Sequence, residues 1–296
     1  MAFNFQTFKT RTLTAIVFAA VMLAGLFVNQ WTFFALFTVI HFGCWMEYQK
    51  IVGLIDDEYN HISRFHKYGI MLLGWFFMVW MTNYNYKIGT ATLYGMGWYC
   101  MIVLSMFLLA TEIVFKKQLN VKTIGYSVFG LIYISLSWGL MIALQNKSAD
   151  TFDISHPSFN YGALIPCGLI FAIWINDTMQ YIVGSLIGKT PFSKISPKKT
   201  WEGTIGGSLL CIATIALLAS VIDVAKVYSV TDWIAIAAIA AIVGTLGDLL
   251  ESKLKRMANV KDSGQIMPGH GGFLDRFDSL VLAVPFVWLY VHLFLK

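Results

Sequence analysis

The sequence predicts an all-α integral membrane protein, a polytopic bundle of about nine transmembrane helices, since about nine runs approach the roughly 20 apolar residues that cross a bilayer. Of the 296 residues, 57% are hydrophobic and only 12% are charged, whereas soluble domains carry about 25% charged residues. The runs lack the two-residue alternation of an outer-membrane barrel. The composition also excludes a disordered chain, and four cysteines are too few for a disulfide-rich secreted scaffold.

The first apolar run must be distinguished from a signal peptide. It follows Lys9 and Arg11, as a signal sequence would, but it lacks a small-x-small cleavage site and a second run follows at once. We therefore expect an uncleaved first helix, an N-terminal region 1–122 of about four spans, and a C-terminal catalytic region 123–296 of about five. The predicted spans are residues 12–29, 31–48, 68–82, 91–111, 123–144, 162–187, 203–222, 231–250 and 279–295.

Basic residues indicate how the chain is oriented. With nine spans, 17 of the 21 lysines and arginines lie on the side that holds the N-terminus and the connections near 49–67, 112–122, 188–202 and 251–278. The positive-inside rule assigns that side to the cytoplasm, and we expect the plasma membrane of a bacterium. Such a face suits anionic lipids and phosphates, and no nucleic-acid partner is expected.

Carboxylates gather where the eighth span ends and the ninth begins. Asp248 closes one helix, and Asp275 and Asp278 open the next, so the three can converge at one membrane depth. Close carboxylates favour a hard divalent cation such as Mg²⁺, which takes oxygen ligands from protein and from substrate phosphates. The pattern predicts a magnesium site at Asp248 and Asp275, whereas for Asp278 a charge that simply ends a helix fits equally well.

Two cytoplasmic connections carry groups suited to phosphate. Residues 268–272 form a glycine-rich approach to a helix start, where backbone N–H groups can contact an anion. His270 in this stretch fits a phosphate contact, a proton shuttle or a structural role. Lys198 and Lys199 are adjacent in the other connection, although paired lysines are also typical of positive-inside topology.

Asp177 lies inside the sixth span. A carboxylate there costs about 2.5–3.5 kcal/mol, so it requires a polar cavity or a charged partner such as a buried lysine. His41, Glu47 and Glu112 lie within or at the ends of other spans, where a structural histidine or a side chain reaching for the interface is typical.

These residues resemble a known family. The resemblance rests on SKLKR at 252–256, KDSG at 261–264 and PGHGGFLDRFD at 268–278, with further blocks SPKKTWEG at 196–203 and NDT at 176–178. Together they resemble the signature of phosphatidate cytidylyltransferases, the CDP-diacylglycerol synthases. The resemblance implies condensation of CTP with phosphatidic acid to CDP-diacylglycerol and pyrophosphate in phospholipid biosynthesis. It also implies Mg²⁺, leaves a second cation open, and suggests a homodimer.

Roles for individual residues follow from the resemblance and the charge pattern. The family's metal-binding aspartates fall on Asp248 and Asp275. We expect Lys198, Lys199 and Arg276 to neutralise phosphate charge, and Asp177 to line a cavity for the lipid headgroup. Further expected contacts to the nucleotide are Ser196, Lys255, Arg256, Lys261, His270, Gly271 and Gly272.

Other functions share some of these features. A transporter would also be polytopic with an intramembrane carboxylate, but it would show internal repeats or paired broken helices, and neither is visible in the sequence. A CTP-dependent enzyme that acts on another lipid, such as a polyprenol kinase or an archaeal-lipid cytidylyltransferase, remains an alternative.

Overall fold

The structure is a computed structural model that describes residues 5–115, 120–150, 161–265 and 271–295. Within these ranges the regular secondary structure is helical apart from one short hairpin, and loops connect the helices. The α-helices are α1 (Phe5–Phe27), α2 (Gln30–Ile55), α3 (Asp57–Asn60), α4 (Arg64–Trp80), α5 (Leu93–Phe115), α6 (Val121–Gly130), α7 (Leu136–Asp150), α8 (Leu164–Ile187), α9 (Trp201–Val221), α10 (Val230–Met257) and α11 (Leu274–Phe294). Strands β1 (Lys87–Ile88) and β2 (Ala91–Thr92) pair antiparallel, a π-helix joins α6 to α7 over Leu131–Ser135, and 3₁₀ turns cover Tyr161–Ala163 and Asp223–Val227.

Each predicted span coincides with a helix in the described part of the chain, and α6, the π-helix and α7 together form the fifth. Six segments are long and apolar enough to cross a membrane: Leu93–Val114, Val121–Ser148, Leu164–Ile187, Trp201–Val221, Val230–Met257 and Leu274–Phe294. The chain is therefore an α-helical membrane protein. The predicted count of nine spans is not confirmed, because α1, α2 and α4 are not among these six.

Local sequence explains several helix boundaries. The Asn29 side chain accepts hydrogen bonds from the first backbone nitrogens of α2, and the Thr32 side chain accepts one from the backbone nitrogen of Asn29, which completes a capping box. This cap lets α2 begin at Gln30, three residues after the last residue of α1. Ser229 and Asp232 form the same motif at α10. The β1–β2 hairpin, which the sequence pattern did not predict, turns at Gly89 with φ +63°, a conformation that glycine adopts without strain.

Small residues bring α8 and α9 into close contact. A Cβ atom on Gly207 would lie 2.5 Å from the backbone nitrogen of Gln180, and one on Gly203 would lie 2.8 Å from Cα of Gly184. The small-xxx-small spacing of Gly203 and Gly207 thus packs two helices, as in other membrane proteins. Helix α10 packs along both α9 and α11. The loop ends of these helices, which are the C-terminal ends of α8 and α10 and the N-terminal ends of α9 and α11, therefore meet at one end of the bundle.

Candidate active site

A cavity of about 520 Å³ opens where the loop ends of these helices meet. The six residues that the sequence marks as catalytic all line it: Asp177, Lys198, Lys199, Asp248, Asp275 and Arg276. Asp278 also lines it, and apolar contacts come from Phe18 of α1 and from Ile173 and Trp174 of α8. The cavity wall therefore combines charged and apolar side chains, and the catalytic roles stay predictions.

A hairpin-like loop between α8 and α9 presents the two lysines. The backbone nitrogen of Phe192 donates to the carbonyl of Lys199 at 2.8 Å, and that of Trp201 donates to Thr190 at 2.9 Å. The Glu202 carboxylate accepts from the backbone of Lys189 and from Thr190 Oγ1 at 2.7 Å. This loop is closed by its own hydrogen bonds, so Lys198 and Lys199 are held at the cavity.

Carboxylates from α10 and α11 lie close together, as the sequence predicted. Asp248, Glu251 and Asp278 each offer an oxygen, and these oxygens lie within 4.8 Å of one another. Lys199 forms an ion pair with Asp248. The group differs from the predicted metal ligands, because Glu251 and Asp278 belong to it and Asp275 does not.

Asp275 lies in the first turn of α11 and accepts several hydrogen bonds. Its Oδ1 accepts from Lys255 Nζ at 2.7 Å, and its Oδ2 accepts from the backbone nitrogens of Ser263 and Gly272, both at 2.8 Å. Lys255 also lies 2.6 Å from Glu251, whose side chain is 1% exposed. Lys255 therefore contacts two carboxylates of the protein and does not line the cavity.

The glycines before α11 also contact carboxylates of the protein. Gly271 has φ +83°, and a Cβ on it would lie 2.5 Å from Asp275 Oδ2. A Cβ on Gly272 would lie 2.2 Å from Oε1 of Glu47. These glycines let the backbone approach two acidic side chains, and a contact between this backbone and a substrate phosphate stays a prediction.

The remaining predicted residues are distributed around the site. Arg256 is exposed and donates to the carbonyl of Val260 at 3.3 Å, and Lys261 is exposed on the following loop. Ser196 accepts a turn hydrogen bond from Lys199 through its carbonyl. These three are not among the residues that line the cavity, and His270 lies outside the described residues.

The sequence did not single out two polar residues that line the cavity, and it gave no special role to a third polar residue nearby. Gln180 lines the cavity and donates to Thr245 at 2.8 Å, and Ser279 lines it beside Asp278. Glu47 contacts the loop before α11 although 216 residues separate it from Ser263. Its one signal in the sequence was an acidic residue at the end of an apolar run, which local periodicity cannot connect to a distant loop.

Comparison with known proteins decides the family. The model of the cytidylyltransferase family matches residues 9–294. The chain belongs to the cytidylyltransferase family. Among curated members, it is 34% identical to the phosphatidate cytidylyltransferase of Bacillus subtilis (strain 168) over 192 residues, which are 64% of this chain and 66% of that protein.

Two other relatives of this family bear the same name. The Synechocystis protein is 43% identical over 145 residues, 48% of each chain. The Haemophilus influenzae protein is 28% identical over 296 residues, 94% of this chain and 96% of its own length. The alignments with the Bacillus and Synechocystis proteins thus span between about half and two thirds of those relatives. The alignment with the Haemophilus protein extends the similarity to nearly the whole length of both chains.

Proposed function

We propose that the protein is a phosphatidate cytidylyltransferase, which condenses CTP with phosphatidic acid to CDP-diacylglycerol and pyrophosphate. The observation that carries the proposal is the single cavity in which Lys198, Lys199 and Arg276 meet Asp177 and Asp248 at the loop ends of apolar helices. A membrane lipid and a soluble nucleotide can meet at such a place. Membership in the cytidylyltransferase family and the names of its curated relatives support the same reaction.

The chemistry requires little from a general base. A phosphate oxygen of phosphatidic acid attacks the α-phosphorus of CTP, and the bond to the departing pyrophosphate breaks. The nucleophile is already an anion, so the main barrier is the approach of negative groups to one another, which fixed positive charge lowers. Lys198, Lys199 and Arg276 supply that charge in the proposed site.

The carboxylates suit a bound Mg²⁺. Asp248, Glu251 and Asp278 form an all-oxygen donor set of the kind that Mg²⁺ prefers, and these residues would hold the ion. When bound, Mg²⁺ would supply charge neutralisation at the phosphates. Asp275 remains in the proposed ligand set through Oδ1, because a carboxylate oxygen offers about two lone pairs and Lys255 uses one of them. Its Oδ2 already accepts from Ser263 and Gly272.

The cavity wall also suits the lipid substrate. Phe18, Ile173 and Trp174 provide apolar contact beside Asp177, an arrangement that fits a molecule with a charged headgroup and acyl chains. The exposed side chain of Asp177 would then face the headgroup. The basic loops that border the site support a cytoplasmic orientation in a bacterial plasma membrane. The proposed assembly is a homodimer.

The decisive experiment offers purified protein α-³²P-labelled CTP, Mg²⁺ and a panel of lipids. The expected result is label in the lipid fraction with phosphatidic acid, together with one pyrophosphate per labelled lipid. A polyprenol kinase would instead release CDP and leave the α-label in solution, and a transporter would incorporate no label. Labelling only with a different lipid would replace phosphatidic acid as the substrate. Native mass spectrometry in detergent would test the homodimer.

A further inference from the structure

Glu47 of α2 joins the N-terminal helices to the loop that precedes α11. Its side chain is buried, with 6% of the residue exposed. One carboxylate oxygen accepts from Ser263 Oγ at 2.6 Å and from the backbone nitrogen of Leu274 at 2.9 Å, and the other accepts from that of Phe273 at 2.9 Å. A single side chain thus receives three hydrogen bonds from a segment more than 200 residues away.

Those contacts supply a cap that α11 lacks in its own sequence. The first N–H groups of a helix have no partner within the helix and usually bind a polar side chain just before it. Phe273 occupies the N-cap position of α11 and forms no side-chain cap. The Glu47 carboxylate takes its place from another helix, where the positive end of the helix dipole also favours a negative charge.

Close packing shows that the loop is shaped around this carboxylate. A Cβ atom on Gly264 or on Gly272 would lie 2.2 Å from Glu47 Oε1. One turn earlier in α2, a Cβ on Gly43 would lie 2.2 Å from the ring of Phe273. Three glycines therefore permit contact between α2 and the loop, two of them beside the same oxygen.

Ser263 connects Glu47 to the cavity. Its Oγ lies 2.6 Å from Glu47 Oε2 and 2.9 Å from Asp275 Oδ2, and it accepts from the backbone nitrogen of Asp275 at 3.3 Å. A hydroxyl has one proton to donate, so the two carboxylates share it. The position of the Asp275 carboxylate, and of Arg276 and Asp278 in the same turn, thus depends on a contact made by Glu47.

We propose that Glu47 is a positioning residue for cytidylyl transfer, which acts through Ser263 and the N-terminus of α11 on the groups that line the cavity. This inference rests on the proposed function. Glu47 itself is not among the cavity-lining residues, so its effect on the reaction must pass through the loop. The N-terminal helices would then take part in the active site rather than only anchor it.

The first test is Glu47→Gln. This variant keeps the side-chain volume and one acceptor oxygen, but it removes the negative charge and replaces the other oxygen with an N–H donor. Misplacement of catalytic groups by about 1 Å costs on the order of 10²-fold in rate. We expect kcat to fall by about that factor while KM for CTP changes little, the pattern of an interaction realised mainly in the transition state. Wild-type kcat in Glu47→Gln would overturn the proposal.

A double-mutant cycle tests the route through Ser263. If Glu47 acts through the hydroxyl, Ser263→Ala reproduces most of the loss, and the double variant is no slower than the slower single variant. Rate losses that multiply would show two independent effects and would overturn the route. Should Glu47→Gln fail to fold, Ser263→Ala alone decides the matter, because it is then expected to lower kcat and a wild-type kcat would reject the inference.

A matched control and a second readout separate positioning from simple stabilisation. Glu112→Gln removes another buried carboxylate, which bonds His66 Nδ1 at 2.7 Å outside the cavity. We expect it to lower thermal stability without lowering kcat; equal kcat losses in both variants would make Glu47 merely structural. Hydrogen–deuterium exchange should accelerate at residues 271–280 in Glu47→Gln alone. Exchange still reports on the cap if the wild-type protein fails to turn over CTP, an outcome that would reject the proposed function instead.

Discussion

Lys255 lies between two carboxylates that would otherwise repel each other. Its Nζ is 2.6 Å from Glu251 and 2.7 Å from Asp275, and its side chain is 12% exposed. A buried cation with two partners is expensive to remove, since an uncompensated charge then stays in a region of low polarity. The sequence pattern suggested a phosphate contact for Lys255, whereas the geometry favours a structural role at the base of the site.

Lys255→Met should therefore destabilise the protein by about 3–5 kcal/mol, the usual cost of breaking a buried ion pair. Thermal unfolding in detergent would show a lower Tm. Lys253→Met provides the matched control, because Lys253 is exposed on the same helix and its removal should change Tm little. Equal Tm values for the two variants, with a raised KM for CTP in Lys255→Met, would instead assign Lys255 to the nucleotide.

Asp275→Asn should lower turnover by about 10²-fold or more, the scale on which single electrostatic groups act in active sites. The amide offers N–H donors where the carboxylate accepts from Lys255, Ser263 and Gly272. Pyrophosphate release measures the effect. Asp223→Asn, which removes an exposed carboxylate at the other end of the bundle, should retain full activity. Normal turnover in purified Asp275→Asn would remove this residue from the proposed site.

At the scale of elements, close packing joins α8 and α9, two helices whose residues line the cavity. Gly207→Ala places a methyl group 2.5 Å from the backbone of Gln180, and such overpacking costs about 1–3 kcal/mol. We expect a lower Tm for this variant. Gly125 lies in α6, and a methyl group added there would meet nothing within 4 Å, so Gly125→Ala should match or exceed the wild-type Tm, since alanine favours helices. A fall in Tm for Gly125→Ala alone would contradict this account.

Helices were the most predictable elements, because twenty apolar residues in a row have few alternatives in a membrane. The sequence located the segment 164–187 within two residues and indicated that Asp248 and Asp275 lie close together, as the cavity shows. It placed the end of the eighth span too early, because α10 continues nine residues beyond Asp248 to Met257. It did not show that Glu251 joins Asp248 and Asp278, since that grouping depends on how α10 and α11 are rotated against each other. Nor could spacing show that the glycines near 271 approach acidic side chains of the protein.

For the whole molecule, the cavity is formed by helices that lie far apart in the sequence. Helices from both predicted regions reach the cavity, because Phe18 of α1 lines it with residues of α8 to α11. The Phe18 ring also lies 6.0 Å from that of Phe277. The division of the chain at residue 122 stays a prediction, and residues on both sides of it line the cavity. Only the folded bundle brings α1, α2 and the C-terminal loops to one end.

Orientation is the remaining prediction for the whole molecule, because the proposed reaction requires the charged end of the bundle to face the cytoplasm, where CTP is found. Lys194 lies exposed on the loop before α9, and Lys226 lies exposed on the 3₁₀ turn at the opposite end of that helix. In intact cells, a membrane-impermeant maleimide should label Lys226→Cys but not Lys194→Cys, and permeabilised cells should label both. The wild-type chain corrects for its four native cysteines, of which Cys44, Cys167 and Cys211 are buried. Labelling of Lys194→Cys in intact cells would place the lysine loop outside, where no cytoplasmic nucleotide could reach Lys198 and Lys199.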